Sequence, residues 1–527
     1  SSIISVMNTI PPASGSGPAT GDSRCLPAPG ETAPVGTSRR QTPPAANPRV
    51  GLVCMPWAGA GRAAIGLSLL KRALRRRRIP ADIHYLNLRL AKQMGLADYD
   101  RMTRYYLVGD WLFARHLFGE PGAGEPANSR AAIESREGRP AKDFFDALGL
   151  DLDRLESEAI PRFLAECLAE IPWERYAVIG FGSVFVQQVA SLLLARRIKE
   201  RHPGVRIVFG GINVSGAMGR ETLRAFDWVD YVVEGEADES FPELVAGILA
   251  GGPAAIPAGV AGRQGDKVFA ALPAAPVEDW ARIPIPDFTD YYDQLRAAGL
   301  DRQISPPVPF ESARGCRWGE RAPCAFCSLG PEVARYRPKP ARRVLRELRA
   351  QARRYESLNF EATDNMAGPG HFTELFPRLA ESGWDFRLFY DLRATLNRDQ
   401  AELLWRAGVR RVEIGIESLH TGILKRLGKG VTALQNLQTL KWCAWQGIAV
   451  DWYLLFGCPG ESPGDYAEMR ETILRTLHLP PPAGLHRVGL ERLSPYFRDP
   501  ARWGLTEIAP KWLYRYIYPP DRVRLEE

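Results

Sequence analysis

The chain has 527 residues, of which 45% are hydrophobic and 24% charged, and its 68 Lys and Arg residues against 61 Asp and Glu residues give a formal net charge of +7. This length predicts two or three domains, and the composition is that of a globular protein rather than a fibrous or wholly disordered one. The sequence has no apolar run of the roughly 20 residues that cross a bilayer, and no basic-then-apolar signal pattern at its start. We therefore expect a cytoplasmic protein without a membrane partner.

The first half of the chain predicts a tail and then an α/β domain with a parallel sheet. Residues 1–48 are rich in Pro, Gly, Ser and Ala without periodicity, which predicts a disordered tail. From residue 49, short apolar strands alternate with helical patterns: strands over 49–55, 81–88, 176–183, 205–211 and 230–238, and helices over 64–77, 184–202 and 240–251. This alternation predicts an α/β domain over 49–270, Rossmann-like, with a parallel sheet covered by helices on both faces.

A basic run, KRALRRRRIP, occupies residues 71–80. It could contact nucleic acid or an acidic peptide, or it could be the solvated end of a helix. Cations at a helix C-terminus are favoured by the helix dipole, so we prefer the second interpretation and expect no nucleic-acid partner.

The second half predicts a separate α/β series. A Pro-rich linker is expected over 271–304, a βα barrel over 305–500, and a C-terminal extension over 501–527. Strands are predicted over 359–365, 386–394, 410–418, 449–459 and 487–497, with helices such as 342–355 and 431–447 between them. Five or six such units form a full or partial barrel, whose chemistry lies at the carboxyl ends of the strands.

Three of the eight cysteines lie in one loop, ESARGCRWGERAPCAFCSLG, at Cys316, Cys324 and Cys327. The spacing is C-x7-C-x2-C, in a segment rich in Gly, Arg and Pro. Three thiols cannot all pair as disulfides, and the remaining cysteines are scattered singly. An iron–sulfur cluster held by three thiolates would leave one iron open for a substrate.

Zinc is the alternative ligand for these thiols. A structural zinc site normally has four ligands, so a histidine distant in sequence would have to complete it. His371, His420, His478 and His486 are available, but none belongs to a paired metal-binding motif. The pattern therefore favours a cluster.

The sequence around this loop resembles a known family. The loop, in its GC-W-G and C-x-FC-x-L setting, is similar to that of the cobalamin-dependent radical S-adenosylmethionine enzymes that mature ribosomally made peptides, mostly as C-methyltransferases. Further blocks resemble the family in the expected order: CMPWAGAGRAAIGLSLLKRAL, GDWLFARHLF, GFGSVFVQQVASLLL, VDYVVEGEADESFPEL, GIESLHTGILKRLGKGVT and LLFGCPGESPGDY. The likeness extends over roughly residues 48–520.

The resemblance implies the cofactors and the reaction. It implies a [4Fe–4S] cluster on Cys316, Cys324 and Cys327, S-adenosylmethionine on the open iron, and cobalamin in the first domain. The implied reaction is methylation of an unactivated carbon of a precursor peptide, in which a 5′-deoxyadenosyl radical abstracts the hydrogen and cobalamin carries the methyl group. The implied partners are the precursor peptide and an external electron donor such as flavodoxin or ferredoxin.

The resemblance also implies which residues hold S-adenosylmethionine. They follow successive barrel strands and are Asp364 and Asn365, Arg393 and Thr395, and Gly415, Glu417 and Ser418. A glycine at a strand end allows close approach of a ligand to the backbone, and a carboxylate or hydroxyl group binds amino and ribose groups. No catalytic acid or base is assigned.

In the first domain, the turn after the first strand reads MPWAGAG and contains no D-x-H-x-x-G motif. We therefore expect cobalamin to bind without a histidine nitrogen on cobalt, with Trp57 or neighbouring backbone at its lower face. Ser183, Gly210 and Gly211, in GFGS and GGIN, are expected near its nucleotide tail.

Two other functions remain open from the sequence. One keeps the cofactors but gives a non-methylating rearrangement or cyclisation of a peptide or a small metabolite. The other is an iron–sulfur protein that only transfers electrons or binds a partner.

Overall fold

The computed structural model describes residues 49–105, 107–119, 129–252, 255–265, 267–270, 272–330 and 334–526. The tail predicted over 1–48 lies outside the described residues. The strands of the first half are β1 Arg49–Cys54, β2 Ala81–Tyr85, β3 Tyr176–Gly182, β4 Arg206–Gly210, β5 Tyr231–Val233, β6 Val260–Gln264 and β7 Lys267–Ala270. Those of the second half are β8 Val308–Phe310, β9 Ala313–Arg314, β10 Arg337–Pro338, β11 Asn359–Ala362, β12 Arg387–Arg393, β13 Val409–Gly415, β14 Ala449–Asp451, β15 Tyr453–Phe456 and β16 Gly484–Arg487.

The helices of the first half lie between and beside these strands. They are α1 Ile65–Arg76, α2 Leu86–Met94, α3 Leu96–Thr103, α4 Val108–Phe118, α5 Arg130–Glu137, α6 Arg139–Asp146, α7 Leu152–Arg154, α8 Ile160–Glu170, α9 Gln188–Arg201, α10 Ala217–Ala225 and α11 Ala237–Leu249. Helix α12, Thr289–Ala298, falls within the segment predicted as a linker.

The second half contains the remaining described helices. They are α13 Arg317–Arg321, α14 Ala341–Tyr355, α15 Phe376–Ala380, α16 Arg398–Arg406, α17 Thr421–Arg426, α18 Ala433–Gln446, α19 Pro463–Arg475, α20 Pro495–Arg498 and α21 Tyr514–Ile517.

The first sheet has seven strands in the order β2-β1-β3-β4-β5-β6-β7. Strands β1 to β5 are parallel, and β6 and β7 form an antiparallel edge. Its central strands are buried on both faces, which explains the continuous apolar runs in the sequence. The order 2-1-3-4-5 reverses direction between β1 and β3, and in such sheets a ligand binds at the carboxyl ends of these two strands.

The second sheet is an open barrel. Five parallel strands run in the order β14-β13-β12-β11-β8, and β15 and β16 form a further parallel pair. An isolated bridge between Glu417 and Leu454 joins the two sheets beyond the end of β13. The predicted α/β fold, a Rossmann-like domain followed by a partial βα barrel, is therefore confirmed.

Several predicted strands differ from those observed. The strand predicted over 230–238 ends at Val233, and α11 begins at Ala237. The strand predicted over 81–88 ends at Tyr85, because Leu86 and Leu90 lie on the buried face of α2, one helical turn apart. The strand predicted over 449–459 is two strands in different sheets. The strand predicted over 487–497 is wrong, because β16 ends at Arg487 and Ser494 caps helix α20, which begins with Pro495.

Aromatic packing shows which face of the barrel sheet meets the helices. Phe360 of β11 contacts Phe310 and Phe386, and Tyr390 of β12 contacts Phe376 of α15. Neighbouring side chains along a strand point to opposite faces. Glu361, next to Phe360, therefore faces the interior of the barrel.

Residues of the predicted linker, 271–304, and of the predicted C-terminal extension, 501–527, both pack against the helices and loops around the first sheet. In α12, Asp290 pairs with Lys71 at 2.6 Å and the Tyr291 hydroxyl donates to the carbonyl of Ala60 at 2.7 Å. Beyond the barrel, Tyr518 contacts the ring of Phe118.

Two observations bear on expected partners. No helix in the described ranges is long and apolar enough to span a membrane. The four arginines at 75–78 are exposed at the C-terminal end of α1, where the dipole argument predicts them.

Candidate functional site

The cysteine loop is anchored by main-chain hydrogen bonds to two distant segments. Cys316 caps α13, and its Sγ accepts a hydrogen bond from the Gly319 amide at 3.3 Å. The Ala325 amide donates to the carbonyl of Leu427, and the Tyr496 amide donates to the carbonyl of Ala325, both at 2.9 Å. The loop between the cysteines is therefore held in place by the barrel itself.

The three thiols are unpaired and half-buried. Burial raises the pKa of Cys327 to about 11 and also raises the pKa of Cys324. These two thiols therefore ionise only with help from a metal or a neighbouring cation. The positive charge of Lys429 is such a cation, because it lowers the pKa of both Cys324 and Cys327.

Two of the histidines that could complete a zinc site, His371 and His420, have other partners. Among the described residues, no three His, Cys, Asp or Glu side chains are grouped as ligands of a single metal ion. His371 is engaged in a buried network, and His420 contacts Glu468 at 3.1 Å. Three unpaired thiols on one anchored loop fit a cluster, in which each thiolate binds a different iron.

The turn that follows α17 inserts a lysine beside the cysteine loop. Lys429 Nζ lies 2.9 Å from Glu417 Oε1, and both side chains are buried. Gly415 leaves room for this pair, because a Cβ there would lie 2.7 Å from Lys429 Nζ. Burial alone would lower the pKa of Lys429, but the Glu417 and Cys324 charges outweigh it and raise the pKa.

Arg393, at the end of β12, joins the same cluster of charges. Its guanidinium lies 4.3 Å from the ring centroid of Trp318 and donates to the carbonyl of Lys429 at 2.5 Å. Trp318 in turn donates to the carbonyl of Gly428 at 2.9 Å. Thr395 is exposed nearby, and both Arg393 and Thr395 line a cavity with Trp318 and Met366.

Asp364 and Asn365 have different environments. The Asp364 carboxylate is buried and accepts from the amide and the hydroxyl of Ser312, the amide at 2.7 Å. The Ser312 hydroxyl also contacts His371 Nε2 at 2.7 Å and the Tyr390 hydroxyl at 3.1 Å. Asn365 is exposed.

The next residue, Met366, reaches the cysteine loop. Its Sδ lies 3.4 Å from Cys316 Sγ. The β11 loop thus contacts the thiols through Met366, while Asp364 stabilises the base of the loop.

Glu417 and Ser418 point in different directions. Glu417 adopts φ 57°, in the left-handed region, and its side chain faces Lys429. The Ser418 side chain is buried, accepts from the His420 amide at 3.0 Å and contacts Met469 Sδ of α19 at 3.5 Å. Of the three predicted residues that follow β13, Gly415 and Glu417 lie beside the cysteine loop, while Ser418 packs toward α19.

At the first sheet, a buried glutamine connects the loops after β1 and β3. Gln187 donates to the carbonyl of Met55 at 2.6 Å and accepts from the Val184 amide at 3.1 Å. Ser183 is buried and donates to Gln188 Oε1 at 2.6 Å. Gly211 has φ 104°, and a Cβ there would lie 2.2 Å from the carbonyl oxygen of Ser183, so only glycine fits.

The same sheet edge exposes apolar side chains. Val184, Phe185 and Ile212 are 38%, 40% and 39% exposed, respectively. Phe185 has φ 52°, and its carbonyl accepts from the Asn213 amide group at 2.7 Å. Trp57, by contrast, is buried against Tyr99, and its indole nitrogen has no hydrogen-bond partner in the described structure.

Ion pairs join this sheet edge to the barrel. Arg62, from the loop after β1, pairs with Glu361 of β11 at 3.0 Å. Arg314, two residues before Cys316, pairs with Glu236 at 3.1 Å and with Asp238 at 2.7 Å, beyond β5. Burial alone would lower the pKa of Arg314, but the Glu311 and Asp238 carboxylates outweigh it and raise the pKa. The carboxyl edge of the first sheet therefore faces the barrel interior and the cysteine loop.

Four residues of this site were not predicted from the sequence: Arg62, Glu361, Met366 and Lys429. The signal for Lys429 was its place between Gly428 and Gly430, both with positive φ, in a polar turn shortly after GIES. The other three carry no local signal, because their roles depend on contacts between segments far apart in sequence.

Most of the barrel matches a known protein superfamily. Residues 310–473 match the radical SAM superfamily. This match implies a [4Fe–4S] cluster and S-adenosylmethionine as cofactors of the barrel, in agreement with the cysteine loop.

Curated relatives extend the similarity to methyltransferases. An uncharacterized methyltransferase PH0819 of Pyrococcus horikoshii is 26% identical over 292 residues, which are 54% of this chain and 61% of that protein. The cobalamin-dependent radical SAM methyltransferase TokK of Streptomyces tokunonensis is 30% identical over 142 residues, 27% of this chain and 20% of TokK. The chain thus spans less than two thirds of either relative.

A solved structure supports the architecture. The radical S-adenosylmethionine methyltransferase TsrM from Kitasatospora setae, with cobalamin and a [4Fe–4S] cluster bound, has a TM-score of 0.58 at 15% identity. The alignment covers 86% of this chain and 75% of TsrM. At this identity the similarity establishes the shared fold of both halves.

Proposed function

We propose that this chain is a cobalamin-dependent radical S-adenosylmethionine methyltransferase that methylates an unactivated carbon of a ribosomally synthesised precursor peptide. The observation that carries the proposal is the Arg62–Glu361 ion pair at 3.0 Å. It connects the loop after β1, at the edge where a Rossmann-like sheet binds ligands, to the interior of a barrel that carries the cysteine loop.

The chemistry that these cofactors supply when bound is hydrogen abstraction from an unactivated carbon, by way of S-adenosylmethionine cleavage, followed by methyl transfer. The protein's task is to bring the two cofactor sites and the substrate together and to exclude water. The Arg314 ion pairs fix the cysteine loop relative to the first sheet, since they bridge β9 and the loop after β5.

At the barrel, the groups available to S-adenosylmethionine are those beside the cysteines. Asn365, Arg393, Thr395 and Glu417 lie at the ends of adjacent strands, and Lys429 adds a second cation beside Arg393. Lysine and arginine suit a carboxylate, and Glu417 suits an amino or hydroxyl group. Gly415 leaves room for the Lys429–Glu417 pair among these groups. Asp364 and Ser418 act on this site by holding the loops that carry these groups.

At the first sheet, the residues present fit cobalamin. Val184, Phe185 and Ile212 offer exposed apolar surface at the switch point, beside the exposed Gly211 and the half-buried Gly210, while the buried Ser183 lies beneath Gly211. The loops after β1, β3 and β4 contain no histidine, so a histidine nitrogen from these loops is not available to cobalt. Trp57 supports the β1 loop from within.

The proposal is tested with S-adenosylmethionine that carries a deuterated methyl group. Reconstituted, reduced protein loaded with cobalamin is incubated under anaerobic conditions with the precursor peptide encoded beside its gene. Mass spectrometry should find one labelled methyl group on a carbon of the peptide.

Two controls and two alternative outcomes make the test decisive. The same protein without cobalamin, and the Cys324→Ala variant with cobalamin, should leave the peptide unlabelled. A peptide changed in mass without the label would indicate a rearrangement or cyclisation instead. Label on a nitrogen or oxygen atom would contradict radical methylation.

A further inference from the structure

A row of arginines lines a groove on the outer wall of the barrel. Four arginines on α14 and one on α15 form its sides: Arg342, Arg346, Arg349, Arg353 and Arg378. We call this feature the arginine groove. Its only acidic lining residue among the described side chains is Glu381.

The arginine groove differs from the rest of its own helix in how its charges are compensated. On the other side of α14, Arg343 pairs with Glu347 at 2.7 Å and Arg354 pairs with Asp287 at 2.8 Å. None of the five groove arginines forms an ion pair within the described part of the chain. The Nε atom of Arg349 is buried without a hydrogen-bond partner there.

The spacing of these arginines lowers the stability of the helix, and a bound anion would offset that loss. The four α14 arginines follow one another at intervals of four, three and four residues, so they are stacked along one helix face. Like charges at this spacing destabilise a helix. A helix that only needed solubility would gain by alternating them with carboxylates, as α14 does on its paired side.

We propose that the arginine groove is a docking site for an extended acidic segment of a partner protein. From Arg342 to Arg353 the row is about 16 Å long, at 1.5 Å per residue. An extended chain of about five residues covers this length, and its alternate side chains, about 7 Å apart, match the roughly 6 Å between arginines one turn apart. Guanidinium groups bind carboxylates through two parallel hydrogen bonds, so a row of arginines prefers carboxylate side chains in a defined orientation.

A polypeptide fits the groove better than nucleic acid or a membrane surface. Leu345 and Ala350 provide apolar surface between the arginines, which suits side chains of a peptide. The row of arginines is only about 16 Å long, whereas nucleic acid and membranes are met by broad basic surfaces. None of the described residues that line the groove is aromatic, and the Trp384 ring is covered by the Arg353 guanidinium at 5.6 Å.

The test uses fluorescence anisotropy with the full chain and a labelled peptide of about ten alternating Glu and Ala residues. Arg342→Glu with Arg346→Glu should weaken binding at least tenfold, because both side chains are exposed and lie in the row. The matched control is Arg75→Glu with Arg77→Glu, in the exposed run of arginines at the end of α1. It changes the net charge of the protein by the same amount as the groove variant. This control should change the affinity less than twofold.

A conservative variant and two competing ligands complete the test. Arg342→Lys with Arg346→Lys keeps the charge but loses the paired hydrogen bonds, and should weaken binding by several-fold. Equal losses in the groove and control variants, or no loss in the groove variant, would overturn the proposal. Tighter binding of poly-uridine RNA or of phosphatidylglycerol vesicles at the groove would also overturn it. Circular dichroism verifies that each variant is folded.

Discussion

The ammonium group of Lys429 and the carboxylate of Glu417 form a buried ion pair, 2.9 Å apart, directly behind the cysteine loop. The turn that carries Lys429 packs on the loop itself, since a Cβ on Gly428 would lie 3.7 Å from Cys324 Cα. The pair therefore couples the stability of the barrel to the charge around the cysteines.

Removing one member of this pair should be costly. Lys429→Met leaves the Glu417 carboxylate buried without its partner, so we expect a loss of about 3 kcal/mol in the free energy of unfolding. Lys429→Met combined with Glu417→Gln should recover most of this loss, because no unpaired charge remains. Denaturant unfolding of the unsubstituted protein and of these two variants measures both effects. A double variant as unstable as Lys429→Met would contradict the coupling.

The same pair gives a pH dependence. The pKa of Lys429 is raised in the folded protein, chiefly because the Glu417 carboxylate outweighs burial. The protonated Lys429 side chain therefore contributes its full stabilisation below the pKa of a lysine in the unfolded chain. This stabilisation is lost as the pH rises through the pKa of Lys429 in the folded protein. The Lys429→Met variant should lack this alkaline loss.

A buried carboxyl group predicts a second pH dependence of stability, from acidic to neutral pH. Burial raises the pKa of Asp110 from 3.8 to about 7, although it accepts a hydrogen bond from the Val189 amide at 3.0 Å. Stability should fall between about pH 4 and pH 7, because the folded state binds the proton more tightly, and the fall amounts to about 4 kcal/mol. Asp110→Asn should flatten this dependence. Unfolding free energies of the two proteins at pH 5 and pH 8 test it, and equal pH slopes would count against a protonated Asp110.

The cluster assignment predicts the effect of removing its ligands. Cys316, Cys324 and Cys327 changed together to Ala should abolish the brown absorbance and the content of about four irons per chain. Cys443→Ala, at a buried position in α18, should keep both. Iron and sulfide analysis after anaerobic reconstitution decides this. Full iron in the triple variant would refute the assignment.

The cobalamin site predicts both a spectrum and an affinity change. The Co(II) form should lack the splitting caused by an axial histidine nitrogen in electron paramagnetic resonance. Phe185→Ser should weaken cobalamin binding about tenfold, since burial of an aromatic ring contributes about 1.5–3 kcal/mol. Leu434→Ser, at a side chain that is 74% exposed elsewhere, is the control and should bind normally. A clear nitrogen splitting would contradict the site, as would normal binding by Phe185→Ser.

The sequence predicted the order of strands and helices well, because buried parallel strands are continuous apolar runs. Local rules were enough for β1, β3 and β4. They failed over residues 487–497, where apolar and aromatic residues resemble a strand but Ser494 and Pro495 begin a helix. They could not divide 449–459 at Trp452, since the change from one sheet to the next depends on long-range pairing.

The sequence predicted only those residues of the site that belong to local sequence motifs. The three cysteines and the end of β13 carry sequence signals, and the structure brings Glu417 beside the cysteine loop. The buried positions of Asp364 and Ser418 depend on partners about 50 residues away in the chain, Ser312 and Met469. The ion pair between Arg62 and Glu361 joins the loop after β1 to strand β11, and no local sequence pattern predicts such a long-range contact.

The central claim is that radical formation and methyl transfer occur in one chain, and product analysis tests it most directly. Reduced, cobalamin-loaded protein is incubated with S-adenosylmethionine and the precursor peptide, and both nucleoside products are quantified against methylated peptide. We expect 5′-deoxyadenosine and S-adenosylhomocysteine in equal amounts, each matching the amount of methylated peptide. S-adenosylhomocysteine without 5′-deoxyadenosine would contradict radical chemistry, and 5′-deoxyadenosine without S-adenosylhomocysteine would contradict methyl transfer.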